Sequence, residues 1–129
     1  MDRPTKAQAR GQWAERRAAW HLRGRGLKLI ARNYRCRFGE VDLIMSDGEA
    51  TVFVEVKRRR NDAFMNPAES VDVHKQRRLA MAAGAFLAAH PRYGRHPARF
   101  DVVTITGPNY RPRFDWIRDA FQLDDSAGH

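Results

Sequence analysis

Glu40, Asp42, Glu55 and Lys57 have the residue types and the spacing that phosphodiester hydrolysis needs. Residues two apart in a strand share a face, so Glu40 points with Asp42 and Glu55 with Lys57. Asp47-Gly48 lies between the two pairs and is a strong hairpin signal. A turn centred on that dipeptide sets Glu40 opposite Glu55. A slip of two residues sets Asp42 opposite Glu55 instead. Either register gathers three carboxylates and an ammonium on one face. A change of parity would send Asp42 to the face of Val52, Val54 and Val56 and bury an unpaired charge, which disfavours it. Clustered carboxylates repel, and a cation offsets that repulsion. Hard oxygen donors suit Mg²⁺ or Mn²⁺, which can polarise a phosphoryl oxygen and acidify water, and a neighbouring Lys stabilises charge growing on the phosphate. The plain alternative for each acid is a surface carboxylate paired with one of the many Arg side chains.

These residues need a scaffold. Residues 5 to 24 predict a helix, with Ala7, Gly11, Ala14, Ala18 and Leu22 on one face and Gly24 and Gly26 ending it. Three strands follow, at 27–35, 40–45 and 51–58. The third alternates between valines and Phe53, Glu55 and Lys57. Asn66-Pro67-Ala68-Glu69 predicts the start of the main helix, which runs to about Ala89 and is closed by Pro91. Val71, Leu79, Ala82, Ala83, Phe86 and Leu87 supply its buried face. Residues 100–105 and 114–117 predict two more strands. Three meandering strands and a helical crossover give an α/β domain with a central mixed sheet of about five strands, order α-β-β-β-α-β-β. The single domain is expected to span residues 1–122, with a flexible tail at 123–129.

The 129 residues carry 24 Lys and Arg against 15 Asp and Glu, a formal charge of +9. Most of the cations are Arg, which grips phosphate bidentately. Genomic base composition accounts for part of such a surplus. Arg58, Arg59 and Arg60 directly follow the acid site and are the foremost phosphate-contact candidates. The one cysteine, Cys36, excludes an intrachain disulfide and a cysteine zinc cluster. His21, His74, His90 and His96 lack ligand spacing. No apolar run is long enough to span a bilayer, and no apolar signal core opens the chain, so a cytoplasmic protein is expected.

Gly39-Glu40-Val41-Asp42-Leu43-Ile44 followed by Phe53-Val54-Glu55-Val56-Lys57 resembles the bacterial YraN family, itself similar to archaeal Holliday-junction resolvases in the PD-(D/E)xK nuclease superfamily. The resemblance extends over Gly11–Glu15, Asn33-Tyr34-Arg35, residues 71–79, Phe100–Val103 and Trp116–Phe121. It implies a restriction-endonuclease-like fold in which Asp42 and Glu55 bind metal, with the Val56 carbonyl as a third ligand. It makes Lys57 the residue that positions water, Glu15 an extra acid and Gln76 a helix glutamine near the site, with Lys75 beside it contacting nucleic acid. The implied function is an Mg²⁺- or Mn²⁺-dependent endonuclease acting on DNA, including branched, junction-like DNA, as a homodimer. Two other classes stay open: a nucleic-acid-binding module without catalysis, and a basic protein-interaction domain.

Overall fold

The computed structural model describes residues 5–59 and 71–122. The expected tail at 123–129 and Arg60 lie outside them. Helix α1 (Lys6–Arg23) starts in a capping box: the Thr5 hydroxyl accepts from the Gln8 N–H while the Gln8 side chain accepts from the Thr5 N–H. Ala14, Ala18, Ala19 and Leu22 form its buried stripe, whereas Gly11 faces solvent. Strands β1 (Lys28–Cys36), β2 (Gly39–Ser46) and β3 (Thr51–Arg58) form an antiparallel meander. Helix α2 (Val73–Ala89) and the single turn α3 (Pro91–Gly94) then lead to β4 (Ala98–Thr106) and β5 (Arg113–Ile117). The five strands lie in one mixed sheet in chain order. β3 and β4 run parallel and every other neighbouring pair is antiparallel. A parallel pair requires a crossover, and α2 supplies it.

Two apolar clusters cover the two faces. On one, the α1 stripe packs on Leu43, Met45, Val52, Val54, Val103 and Ile105. On the other, Leu79, Ala82, Ala83 and Phe86 of α2 pack on Ile44, Phe53 and Val102. Phe86 is the hub of the second layer. It meets Tyr34 and Phe53 edge-on and stacks with His90 and Tyr93. Removing such a ring costs about 3–5 kcal/mol.

Helix α2 starts later than expected. Asn66 and Pro67 lie outside the described residues, but Val71 and Asp72 are not helical. The Asp72 carboxylate accepts the Lys75 N–H at 2.8 Å and caps the helix there. The hairpin between β2 and β3 settles the open choice of register. Ile44 pairs with Phe53 and Met45 with Val52, the arrangement slipped by two residues from a turn centred on Asp47-Gly48. The connection is longer because Asp47 organises it: Oδ1 accepts from the Glu49 and Ala50 N–H groups, at 2.8 and 2.7 Å. Arg99 of β4 ties that turn to the sheet, with Nη1 2.8 Å from Asp47 Oδ2 and Nε 2.9 Å from Asp101 Oδ1. Asp101 is fully buried and fully matched, accepting also from Trp116 Nε1 and the Asp119 N–H.

Candidate active site

The β2–β3 ladder stops at Leu43–Val54. One step further the same register sets Asp42 across from Glu55, where the carboxylate replaces the ladder: the Val56 N–H donates to Asp42 Oδ2 at 2.8 Å. Carried the other way, the β1–β2 register sets Asn33 across from Asp42. Asn33 has φ of 54°, a left-handed conformation that Asn tolerates better than most residues and that marks a local constraint. Its side chain lies near Glu15, which reaches the row from α1, and favours the charged form of that acid.

Three acids converge as they stand. Glu15, Glu40 and Asp42 each place an oxygen within 4.8 Å of the others. Glu15 Oε2 is sealed from solvent with no hydrogen-bond partner. Glu40 is more open, 3.6 Å from Arg35 Nε. Glu55 is buried and shared between two ammonium groups, the directly paired Lys75 Nζ and Lys57 Nζ at 3.7 Å. A cavity of about 220 Å³ opens onto this group, walled by Glu40, Asp42, Glu55, Lys75 and Arg78.

The electrostatics follow from this crowding. Burial first, and the Glu55 charge second, push the Asp42 carboxyl up to about 8 against the pull of the Val56 N–H, with Glu15 and Glu40 adding to the rise. Burial also raises Glu15. Lys57 is lowered, by burial and then by Lys75, against the attraction of Glu55 and Asp42. Burial pulls hardest on Lys75 too, but its bond to Glu55 and the charges of Glu55 and Asp42 together outweigh that and hold it above the ordinary lysine value. Asp101 offers the contrast within the same sheet. It is more deeply buried than Asp42, yet an Arg fork, an indole N–H and a backbone N–H match it, so it reads as structural. Among the described residues Asp42 has one donor and three acidic neighbours. An all-oxygen donor set with an orphaned buried oxygen fits a hard divalent cation.

The structure brings Asp42, Glu55, Lys57 and Glu15 together. It also brings Lys75 there, on Glu55. Gln76 directs its amide elsewhere, with Nε2 donating to the Val71 carbonyl at 2.8 Å. Val56 pairs with Val103 of β4 and supplies the N–H to Asp42. Arg58 lies on the α1 side, held by Gly107 and Asn109. Arg59 donates its backbone N–H to the Ile105 carbonyl, with a partly buried side chain. Sequence reasoning missed Asn33 and Arg78. The Asn33 signal was available: an Asn inside a strand pattern invites a left-handed residue.

A family model described as "Uncharacterised protein family UPF0102" matches residues 14–105. Relatives carrying the name UPF0102 protein include one from Stutzerimonas stutzeri, 50% identical over 92% of this chain and 98% of its own length. Another, from Xanthomonas campestris pv. campestris, is 49% identical over 95% of this chain and 98% of its own. A third, from Halorhodospira halophila, is 50% identical over 88% of this chain and 87% of its own.

Proposed function

The chain belongs to the UPF0102 (YraN) family, and from that premise and the geometry above we propose that it is a divalent-metal-dependent nuclease of the PD-(D/E)xK type. One observation carries the reading: Asp42 is a half-buried carboxyl with a single donor among the described residues, facing Glu55, Glu15 and Glu40 beside the Lys57 ammonium. A fold tolerates that concentration of acid when a cation completes it.

Asp42, Glu15 and Glu40 would hold Mg²⁺ or Mn²⁺, with Glu55 adjoining. When bound, the ion supplies Lewis-acid polarisation of the phosphoryl oxygen and a lowered pKa for water. Lys57 faces the same acids with its pKa depressed by burial, so its ammonium can orient a water molecule or give up a proton to a leaving oxygen. Lys75 and Arg78 on the opposite wall offer positive charge to the phosphate oxygens. DNA is the proposed substrate, with junction-like DNA included by the family resemblance.

The ion pairs on Glu55 favour a second reading, a nucleic-acid-binding module in which lysines already neutralise the acid. A cleavage assay separates the two. Branched, nicked, single-stranded and duplex DNA are incubated with Mg²⁺ or Mn²⁺, with Lys57→Ala as control. Metal-dependent cutting lost in the variant supports the nuclease. Tight binding with no cutting of any substrate under either metal defeats it and leaves the binding module.

A further inference from the structure

Lys57 and Arg58 are consecutive on β3, so they face opposite sides of the sheet. Lys57 joins the acids on the α2 side. Arg58 enters a second groove on the α1 side, of about 620 Å³, lined by Ala9, Arg10, Gly11, Trp13, Arg58 and Asn109. Helix α1 borders both places, with Trp13 in the groove and Glu15 among the acids. The two sites therefore adjoin around the end of β3.

The groove is organised in advance. Arg58 lies over the Trp13 ring, 4.9 Å from its centre. Its Nη2 donates to the Gly107 carbonyl and to Asn109 Oδ1, both at 2.7 Å. Its Nε and Nη1 hydrogens have no partner among the described residues, so a fixed guanidinium presents donors to an incoming anion. Arg10 adds a second positive charge to the lining. Tyr110, which follows Asn109 in the chain, is 89% exposed and leaves an aromatic ring free to meet a base. Arginines interleaved with aromatics suit alternating phosphates and bases.

We propose that this groove binds a single-stranded polynucleotide segment continuous with the strand that enters the acid cluster. Phosphates would lie on Arg10 and Arg58, with a base against Tyr110. Strand shape decides for a single strand. A path from the groove to the acids must turn around the end of β3. A duplex, stiff over about 150 base pairs, resists that turn, whereas an unpaired arm bends freely. The path to the acids rests on the nuclease reading; the affinity of the groove does not, and it can be measured without metal.

The experiment is fluorescence anisotropy in EDTA with labelled oligo(dT), oligo(rU) and blunt duplex, on the wild type and on Gly11→Leu and Arg58→Gln. Nothing lies within 4 Å of a Cβ built at Gly11, so leucine fits there and projects into the groove. Leucine is also the better helix former, so Gly11→Leu should melt no lower than the wild type. Single strands should bind more tightly than duplex, with affinity falling steeply with salt. Gly11→Leu and Arg58→Gln should each weaken single-strand binding by about tenfold or more, the scale of one lost stacking or phosphate contact. A difference between oligo(dT) and oligo(rU) reads the sugar together with the thymine methyl, and equal binding means that the groove reads phosphate and base ring alone; both support it. A folded Gly11→Leu that binds single strands like the wild type overturns the proposal, as does a preference for duplex. Absence of cutting in the metal assay, with groove binding intact, would sink the nuclease reading alone.

Discussion

Asp42→Asn should make the protein more stable while abolishing the proposed metal-dependent cleavage. The Asp42 carboxyl is pushed from 3.8 up to about 8 in the folded chain. Below pH 4 both folded and unfolded states carry the proton, and the residue contributes no pH dependence. As pH rises the unfolded chain releases the proton and the folded chain keeps it, so stability falls between about pH 4 and about pH 8 and is level above that. Each unit is worth about 1.4 kcal/mol, and at pH 7 roughly three units have been crossed, a cost of about 4 kcal/mol. Asparagine does not titrate and avoids that cost. Its amide N–H₂ lacks the metal and needs a partner, which takes back about 1–3 kcal/mol and leaves a net gain of about 1–3 kcal/mol at pH 7. Urea unfolding in EDTA at pH 5 and pH 8 measures this directly. The wild type should lose about 4 kcal/mol relative to the variant across that interval. Mg²⁺ at a hundred times its dissociation constant should restore about 2.7 kcal/mol to the wild type and far less to the variant. Parallel pH curves, or a variant less stable at both pH values, would refute the claim that Asp42 sits in a charge-crowded pocket.

Lys57→Ala should abolish metal-dependent cleavage with little change in DNA affinity, read by cleavage and binding assays side by side. Gln76→Ala should cost about 1 kcal/mol of stability, the worth of its bond to the Val71 carbonyl, and leave cleavage intact; a loss of cleavage at unchanged stability would return Gln76 to the chemistry. Asp101→Ala should cost about 3–5 kcal/mol in EDTA and in Mg²⁺ alike, because it strands Arg99 and Trp116 and touches no metal donor; denaturant unfolding with and without the ion checks both halves.

The acid face was legible because strand parity is a strict rule: Asp42 on the valine face would have been a buried unpaired charge. The register within that parity was not. It depended on Asp47 accepting two backbone N–H groups to hold a longer connection, and Asp-Gly alone also fits a tighter turn. The start of α2 was misplaced because Asn66-Pro67 and Asp72 are both good cap signals, and only tertiary packing chooses between them. That Lys75 meets Glu55 while Gln76 turns to Val71 depends on how α2 is rotated against β3, which periodicity along one chain does not fix. Asp101 and Asp42 look alike in sequence, each an acid within an apolar run. Arg99, Trp116 and Asp119 distinguish them, and two of those arrive from β5 or just beyond it.

Arg99 holds Asp47 at the end of the hairpin remote from Asp42. Asp47 directly follows β2 and lies five residues from Asp42, a separation of about 16 Å at strand rise. At that range, with no shared partner, changes at the two ends should combine additively. An engineer can therefore reinforce the turn for thermal robustness and retune the other end for new substrates as two independent campaigns.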